Sequence, residues 1–243
     1  MRNYSCILLL ICLSCSCYAQ ETPPPSSDSR IYDIVKAVSA DRIEKDIRKL
    51  VSFGTRHTLS DTVSDTRGIG AARRWIKSEF ENISEACGGC LDVSYQFSHV
   101  KGNPRSRIKE DAIVVNVLAT LRGSRYPNRY VIMSGDIDSR VSDALNATDD
   151  SPGANDNASG MAGVLEAARV LSQYEFPSNI IFVGLSGEEQ GLFGGKHMAK
   201  VAKEKEWDIV GVLNNDMIGN IEGIDGVIQN NSFRVFSEPT PVT

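Results

Sequence analysis

Histidine, cysteine and positive charge are all in short supply in this chain, and each shortage narrows what it can be. Lys and Arg number 26 against 31 Asp and Glu, a formal net charge of −5. No basic stripe interrupts that balance, so a nucleic-acid partner is not expected. Only three histidines occur, His57, His99 and His197; His57 and His99 have no metal-ligand spacing, and His197 reads as a helix-surface residue. Long hydrophobic runs are missing as well. The apolar stretch at residues 7–13 is too short to span a bilayer. It follows Arg2 and leads through small residues to Cys17-Tyr18-Ala19, the layout of a secretory signal peptide over residues 1–19. Export to the periplasm or the extracellular space is therefore expected. A lipid anchor is the lesser alternative, since Cys12-Leu13-Ser14-Cys15 is a poor lipidation motif.

Cysteine usage agrees with export. Four of the six cysteines lie in the signal, which leaves Cys87-Gly88-Gly89-Cys90 in the mature chain. In an oxidising compartment a local structural disulfide is the expected state of such a pair. Redox catalysis would need a strand-to-helix setting, whereas this motif ends a predicted helix, and a cysteine metal site lacks its second half.

What remains is an ordinary globular composition, 41% hydrophobic and 23% charged over 243 residues, enough for one sizeable core. Residues 20–29 form a polar Pro/Ser-rich lead-in, and residues 30–243 are read as a single domain. Residues 30–53 predict two helical pieces, the second capped by Ser39 and ended by Gly54. A polar loop at 55–66 contains His57. Residues 68–86 place Ile69, Ala72, Ile76, Phe80 and Ile83 at helical spacing, with Arg and Lys on the other side. Two strands around 91–97 and 112–121, separated by a Gly102-Asn103-Pro104 turn, predict an antiparallel pair at a sheet edge. From about residue 130 strands and helices alternate, the pattern of a largely parallel sheet covered on both sides.

The informative feature is where the acids fall. The strand at 130–134 ends in Asp136-Ile137-Asp138. The apolar run at 180–185 ends in Ser186-Gly187-Glu188-Glu189, and the strand at 209–213 ends in Asn214-Asn215-Asp216. Asp156 precedes a helix in Pro152-Gly153-Ala154-Asn155-Asp156-Asn157. Each alone has a structural reading: Ser186-x-x-Glu189 is also a capping box, and Asp156 a helix N-cap. Together they predict carboxylates converging on the carboxyl edge of one sheet, where their repulsion calls for cations.

At these positions the chain resembles the co-catalytic zinc aminopeptidases of metallopeptidase clan MH, which also include the glutaminyl cyclotransferases. The Pro-Gly-Ala-Asn-Asp-Asn-Ala-Ser-Gly, Ser-Gly-Glu-Glu-Gln-Gly-Leu and Asn-Asn-Asp-Met-Ile-Gly segments carry the resemblance. It implies a three-layer αβα sandwich with a mixed, mostly parallel sheet. It also implies two divalent cations, zinc foremost, bridged by Asp156, with Glu189 on one, Asp136 and Asp216 on the other, and Glu188 as the catalytic carboxylate. Peptides are the implied substrates.

Two departures qualify what the resemblance implies. Where the family has His-x-Asp, this chain has Asp136-Ile137-Asp138, an all-oxygen set that relaxes the preference towards manganese or another hard cation. The family's last ligand, a histidine well downstream of the Asp216 position, has no counterpart. The chain is therefore expected to be incomplete at its C-terminus and inactive by itself. The function expected of the family member is aminopeptidase hydrolysis by a metal-activated water. Glutaminyl cyclotransfer and a non-catalytic binding module on the same fold are the alternatives.

Overall fold

A computed structural model describes residues 28–237. The predicted signal peptide and most of the lead-in lie outside the described residues. The two expected N-terminal helices are α1 (Ser29–Lys36) and α2 (Ala40–Val51). Ser39 caps α2 by accepting a hydrogen bond from the Arg42 N–H at 3.3 Å, and the chain turns away at Gly54 with φ 73°. Helix α3 (Gly68–Ala86) follows, and all five residues predicted for its apolar face are buried. Cys87 and Cys90 are bonded just beyond it. One detail of α3 departs from expectation: Arg73, expected on the polar side, is buried at 7% exposure.

The sheet has five strands, β1 (Leu91–Val100), β2 (Ala112–Leu121), β3 (Tyr126–Asp136), β4 (Ser178–Leu185) and β5 (Asp208–Asn215), in the order β1-β2-β4-β3-β5. β1 pairs antiparallel with β2 at one edge, as the turn chemistry predicts, and β2 pairs antiparallel with β4. β3 runs parallel to both β4 and β5. The sheet is thus mixed, with a parallel unit at β4-β3-β5.

Alternation along the central strands builds two cores, one on each face. Ile180 and Phe182 of β4, with Val117, Ala119 and Leu121 of β2, pack under α3 and α4 (Gly160–Leu171). Ile181 and Val183, with Leu118 and Ile132, face the other way against Met198 of α5 (Phe193–Glu204). Helices therefore cover both faces, the expected three layers. Strand β5 differs from the others: Val210, Val212 and Leu213 are all more than half exposed, because it is the outer strand of the sheet. Among the described residues no helix is long and apolar enough to cross a membrane.

Helix α2 is held to α4 by Glu166, which is 2% exposed and accepts from the Ser39 N–H at 2.7 Å and from Arg169 Nε at 2.8 Å. Asp46, one turn further along α2, has less support. Burial first, and then the neighbouring Glu79, push its carboxyl up to about 6, only partly opposed by Arg42 and Lys45. A carboxyl whose pKa is raised on folding is a liability above that value. The native state holds the extra proton between about pH 4 and pH 6, so stability falls as pH rises through this window. Asp46→Asn is expected to raise the unfolding free energy by about 2 kcal/mol at pH 8 and to leave it unchanged near pH 4. Urea denaturation at the two pH values checks this, and an equal effect at both would show that the charge is not what matters.

Candidate active site

Because β3, β4 and β5 are parallel, their carboxyl ends share one edge of the sheet. Asp136 is the last residue of β3 and pairs with Leu185 of β4, three residues before Glu188. Gly135 pairs with Asn215 of β5, the residue before Asp216. Asp156 joins them from a short π-helical turn (Ala154–Ser159) that leads into α4. Asn157 ties the three segments together. Its Nδ2 donates to Asp136 Oδ2 at 3.2 Å and to Asn215 O at 2.8 Å, and its Oδ1 accepts from the Gly160 and Met217 N–H groups. Further along, Ser159 Oγ and Asn155 Oδ1 accept from the Ile218 and Gly219 N–H groups. The turn that carries Asp216 is thus clasped along the turn that carries Asp156. Gly160 lets them approach so closely, since a Cβ there would lie 2.1 Å from Asn215 O.

Neither helix-capping reading holds. Helix α5 begins only at Phe193, after Leu192, and Ser186 instead donates from Oγ to Val115 O at 2.7 Å. Asp156 lies inside the π-turn with non-helical φ −106° and ψ 98°, and the Asp156–Asn157 peptide bond is cis. Asp138, which the substitution at Asp136 leaves without an imidazole to orient, has other partners. It is 1% exposed and accepts from Thr58 Oγ1 at 2.7 Å and from the Glu188 and Glu189 N–H groups at 3.3 and 3.2 Å. It anchors the turn on which both glutamates stand.

The acids act on one another electrically. Burial, followed by the charges of Asp138 and Glu188, pushes the Asp136 carboxyl up to about 8. Burial and then Glu189, Asp138, Asp216 and Asp156 push Glu188 up to about 7. The Glu189 and Asp216 carboxyls are also raised, by burial first and then by Asp156 among their neighbours. The structure therefore brings all five predicted site residues, Asp136, Asp156, Glu188, Glu189 and Asp216, to one edge.

Their engagements differ. Glu189 forms an ion pair with Arg140, and Asp136 accepts from Asn157. Among the described residues the half-buried Glu188 carboxylate has no hydrogen-bond or ion-pair partner. In donor type and charge the edge fits a divalent cation: carboxylate oxygens, mutually repelling and partly dehydrated. A closed cage is not formed, because among the described residues no three His, Cys, Asp or Glu side chains make a group that could hold a metal ion. The Arg140 guanidinium supplies the positive charge beside Glu189. Of the three histidines, His57 is buried, accepting from the Leu59 N–H through Nδ1 and placing Nε2 3.0 Å from Ala144 O and 3.0 Å from Nε2 of Gln190, the residue after Glu189.

Arg56 is the residue that sequence reading passed over. It sits in the loop read as polar, yet it is 1% exposed. Its guanidinium donates to Ile137 O, Leu50 O, Pro152 O and Gly153 O at 2.7–3.1 Å. Ile137 follows Asp136 and Gly153 precedes Asp156, so one side chain fixes the spacing of two acidic segments. Burial pulls its pKa down to about 10, partly offset by Asp138 and Asp156. Arg56→Met would take the charged donor from four carbonyls, of which Leu50 O and Gly153 O keep backbone donors from Phe53 and Ala158, and is expected to cost about 2–4 kcal/mol in urea denaturation. A loss below about 1 kcal/mol would mean that the segments hold their spacing without it.

Comparison with known proteins agrees with this geometry. Residues 116–233 match the model of peptidase family M28. A curated protein of Pyrenophora teres f. teres named "Probable zinc metalloprotease" is 44% identical over 92% of this chain and 46% of its own length. A Pyricularia oryzae protein of the same name is 40% identical over 92% of this chain and 46% of its own. The chain thus spans about half the length of the curated relatives it matches. Among solved structures, the LapA aminopeptidase of Legionella pneumophila superposes with a TM-score of 0.59 at 21% identity, over 88% of this chain and 48% of that one. The glutaminyl cyclase of Porphyromonas gingivalis gives 0.60 at 19% identity, over 75% and 62%. At those identities the likeness concerns the fold. The segment that supplies β3, β4, β5 and every acid of the edge is thus the one that matches peptidase family M28, on the fold shared by that aminopeptidase and that cyclase.

Proposed function

We propose that this chain is part of an exported metal-dependent exopeptidase, an aminopeptidase that hydrolyses N-terminal peptide bonds. The observation that carries the reading is Glu188. At an edge where Asp136, Asp138 and Glu189 are each engaged by a hydrogen-bond donor or a cation, Glu188, Asp156 and Asp216 have no such partner among the described residues, and of these three Glu188 stands on the turn that Asp138 fixes through its backbone N–H groups. Asp136, Asp156, Glu189 and Asp216 would hold the cation or cations, zinc by kinship with the zinc metalloproteases. When bound, the metal supplies Lewis-acid polarisation of the scissile carbonyl and acidifies the attacking water. Glu188 takes that water's proton and delivers it to the leaving amine. Asp138, through the backbone N–H groups of Glu188 and Glu189, keeps the turn in place while the proton moves. An anionic edge also suits the free α-ammonium group of a peptide. The Cys87–Cys90 disulfide is in keeping with an oxidising compartment.

An aminoacyl-anilide and an N-terminal glutaminyl peptide, offered to protein that contains these residues, test the reading. Chelator-sensitive release of the anilide is expected, and cyclisation of the glutaminyl peptide alone would move the assignment to cyclotransfer. Failure of both reactions with metal present would favour a binding module. Glu188→Gln is expected to keep its zinc while turnover falls about 100-fold or more, the scale of general acid–base catalysis. Loss of zinc in that variant would make Glu188 a ligand instead.

A further inference from the structure

Helix α3 carries a cation that forms no ion pair among the described residues, Asp138 acting on it only at longer range. Arg73 is 7% exposed, and among the described residues its only hydrogen bond runs from Nε to Ile69 O, one turn back, at 3.2 Å. Neither Nη nitrogen has an acceptor there, and no carboxylate forms an ion pair with it. The neighbouring cations are provided for. Arg74 pairs with Asp65 at 3.3 Å and donates to the Thr62, Val63 and Ser64 carbonyls, and Lys77 pairs with Glu81. The fork nitrogens are not themselves enclosed, so both are open to a ligand. Burial lowers the pKa of the guanidinium, opposed by Tyr95 and Asp138.

That guanidinium lines a groove of about 370 Å³ between the start of α3 and the sheet, walled by Thr62, Tyr95, Phe97, Ile113 and Val115. The other walls suit an apolar group. Tyr95 and Phe97 meet edge to face, centroids 5.9 Å apart, and Phe97 and Ile113 are more than half exposed. The floor is stiff, because the loop at 61–63 presses on α3 so closely that a Cβ on Gly70 would lie 2.3 Å from Thr62 O. The groove opens at the end of the sheet that holds the acids. Val117 pairs with Gly184 near the carboxyl end of β4, and Val115 O accepts from Ser186, two residues before Glu188.

We propose that this groove is a binding site for an organic carboxylate with an apolar side chain, such as the free C-terminus of a peptide ending in a large hydrophobic residue. The two Nη nitrogens of Arg73 form the planar fork that matches a carboxylate. Tyr95, Phe97, Ile113 and Val115 cover the side chain. A metal plays no part, and neither does hydrolysis, so the site stands or falls apart from the peptidase reading.

Ligand-observed NMR titration of the full chain with N-acetyl-phenylalanine, in the presence of a chelator, tests it. Saturable binding is expected, at least tenfold weaker for N-acetyl-phenylalaninamide, which keeps the ring and loses the charge. N-acetyl-glycine, with a carboxylate and no ring, separates the apolar demand from the charge and is also expected to bind at least tenfold more weakly. Arg73→Met should abolish the preference for acid over amide, and Arg73→Lys should restore part of it. Phe97→Ala alters only an exposed wall and should weaken N-acetyl-phenylalanine several-fold in a chain with unchanged melting temperature; it serves if Arg73→Met does not fold. No saturable binding, equal affinity for acid and amide, equal affinity for N-acetyl-glycine, or indifference to Phe97→Ala would each overturn the proposal.

Discussion

Carboxylates crowded at one partly dehydrated edge of a sheet repel one another, and much of the surrounding structure exists to hold them there. Two of the acids, Asp136 and Glu188, are raised to about 8 and about 7, by burial first and then by the charges of their neighbours. Such an arrangement persists only where the backbone is tied down independently of the acids. Asn157 clasps the end of β3 to the end of β5. Arg56 bolts the segment after Asp136 to the segment before Asp156. Asp138 holds the turn of Glu188 and Glu189 by its N–H groups. A site assembled against its own repulsion is one that gains from a cation.

The departures from the family pattern take on physical meaning in that setting. With Asp136 in place of an imidazole, the donor set is wholly oxygen, and the aspartate that would have oriented a histidine carries backbone hydrogen bonds instead. Arg140 sits against Glu189, so one carboxylate of the edge already has a positive partner. At the outer flank of the sheet, strand β5 exposes Val210, Val212 and Leu213.

Much of this was legible in the sequence, and the part that was not has a common cause. Helical spacing located α3, turn chemistry located the β1–β2 hairpin, and short apolar runs located β3, β4 and β5, because each signal is local and periodic. The acids were legible because strand direction alone carries them to one edge. Arg56 and Asn157 were not, since their importance lies in carbonyls distant in sequence: Arg56 reaches Pro152, and Asn157 reaches Asn215. Arg73 was misread for the opposite reason. Its charge suggests solvent, but it stands four residues after Ile69 and three before Ile76, beside the apolar stripe of α3. Long-range hydrogen bonds leave no period to read, and a charged residue type can mask a period that is there.

The central claim is that the acids of this edge form a cation site. Isothermal titration of zinc into the chain, paired with the same titration into an Asp156→Asn, Asp216→Asn double variant, tests it most directly. The account predicts saturable binding by the native chain, accompanied by a higher melting temperature, and loss of both in the double variant. Zinc binding of equal affinity and stoichiometry in the two proteins, or none in the native chain, would contradict it.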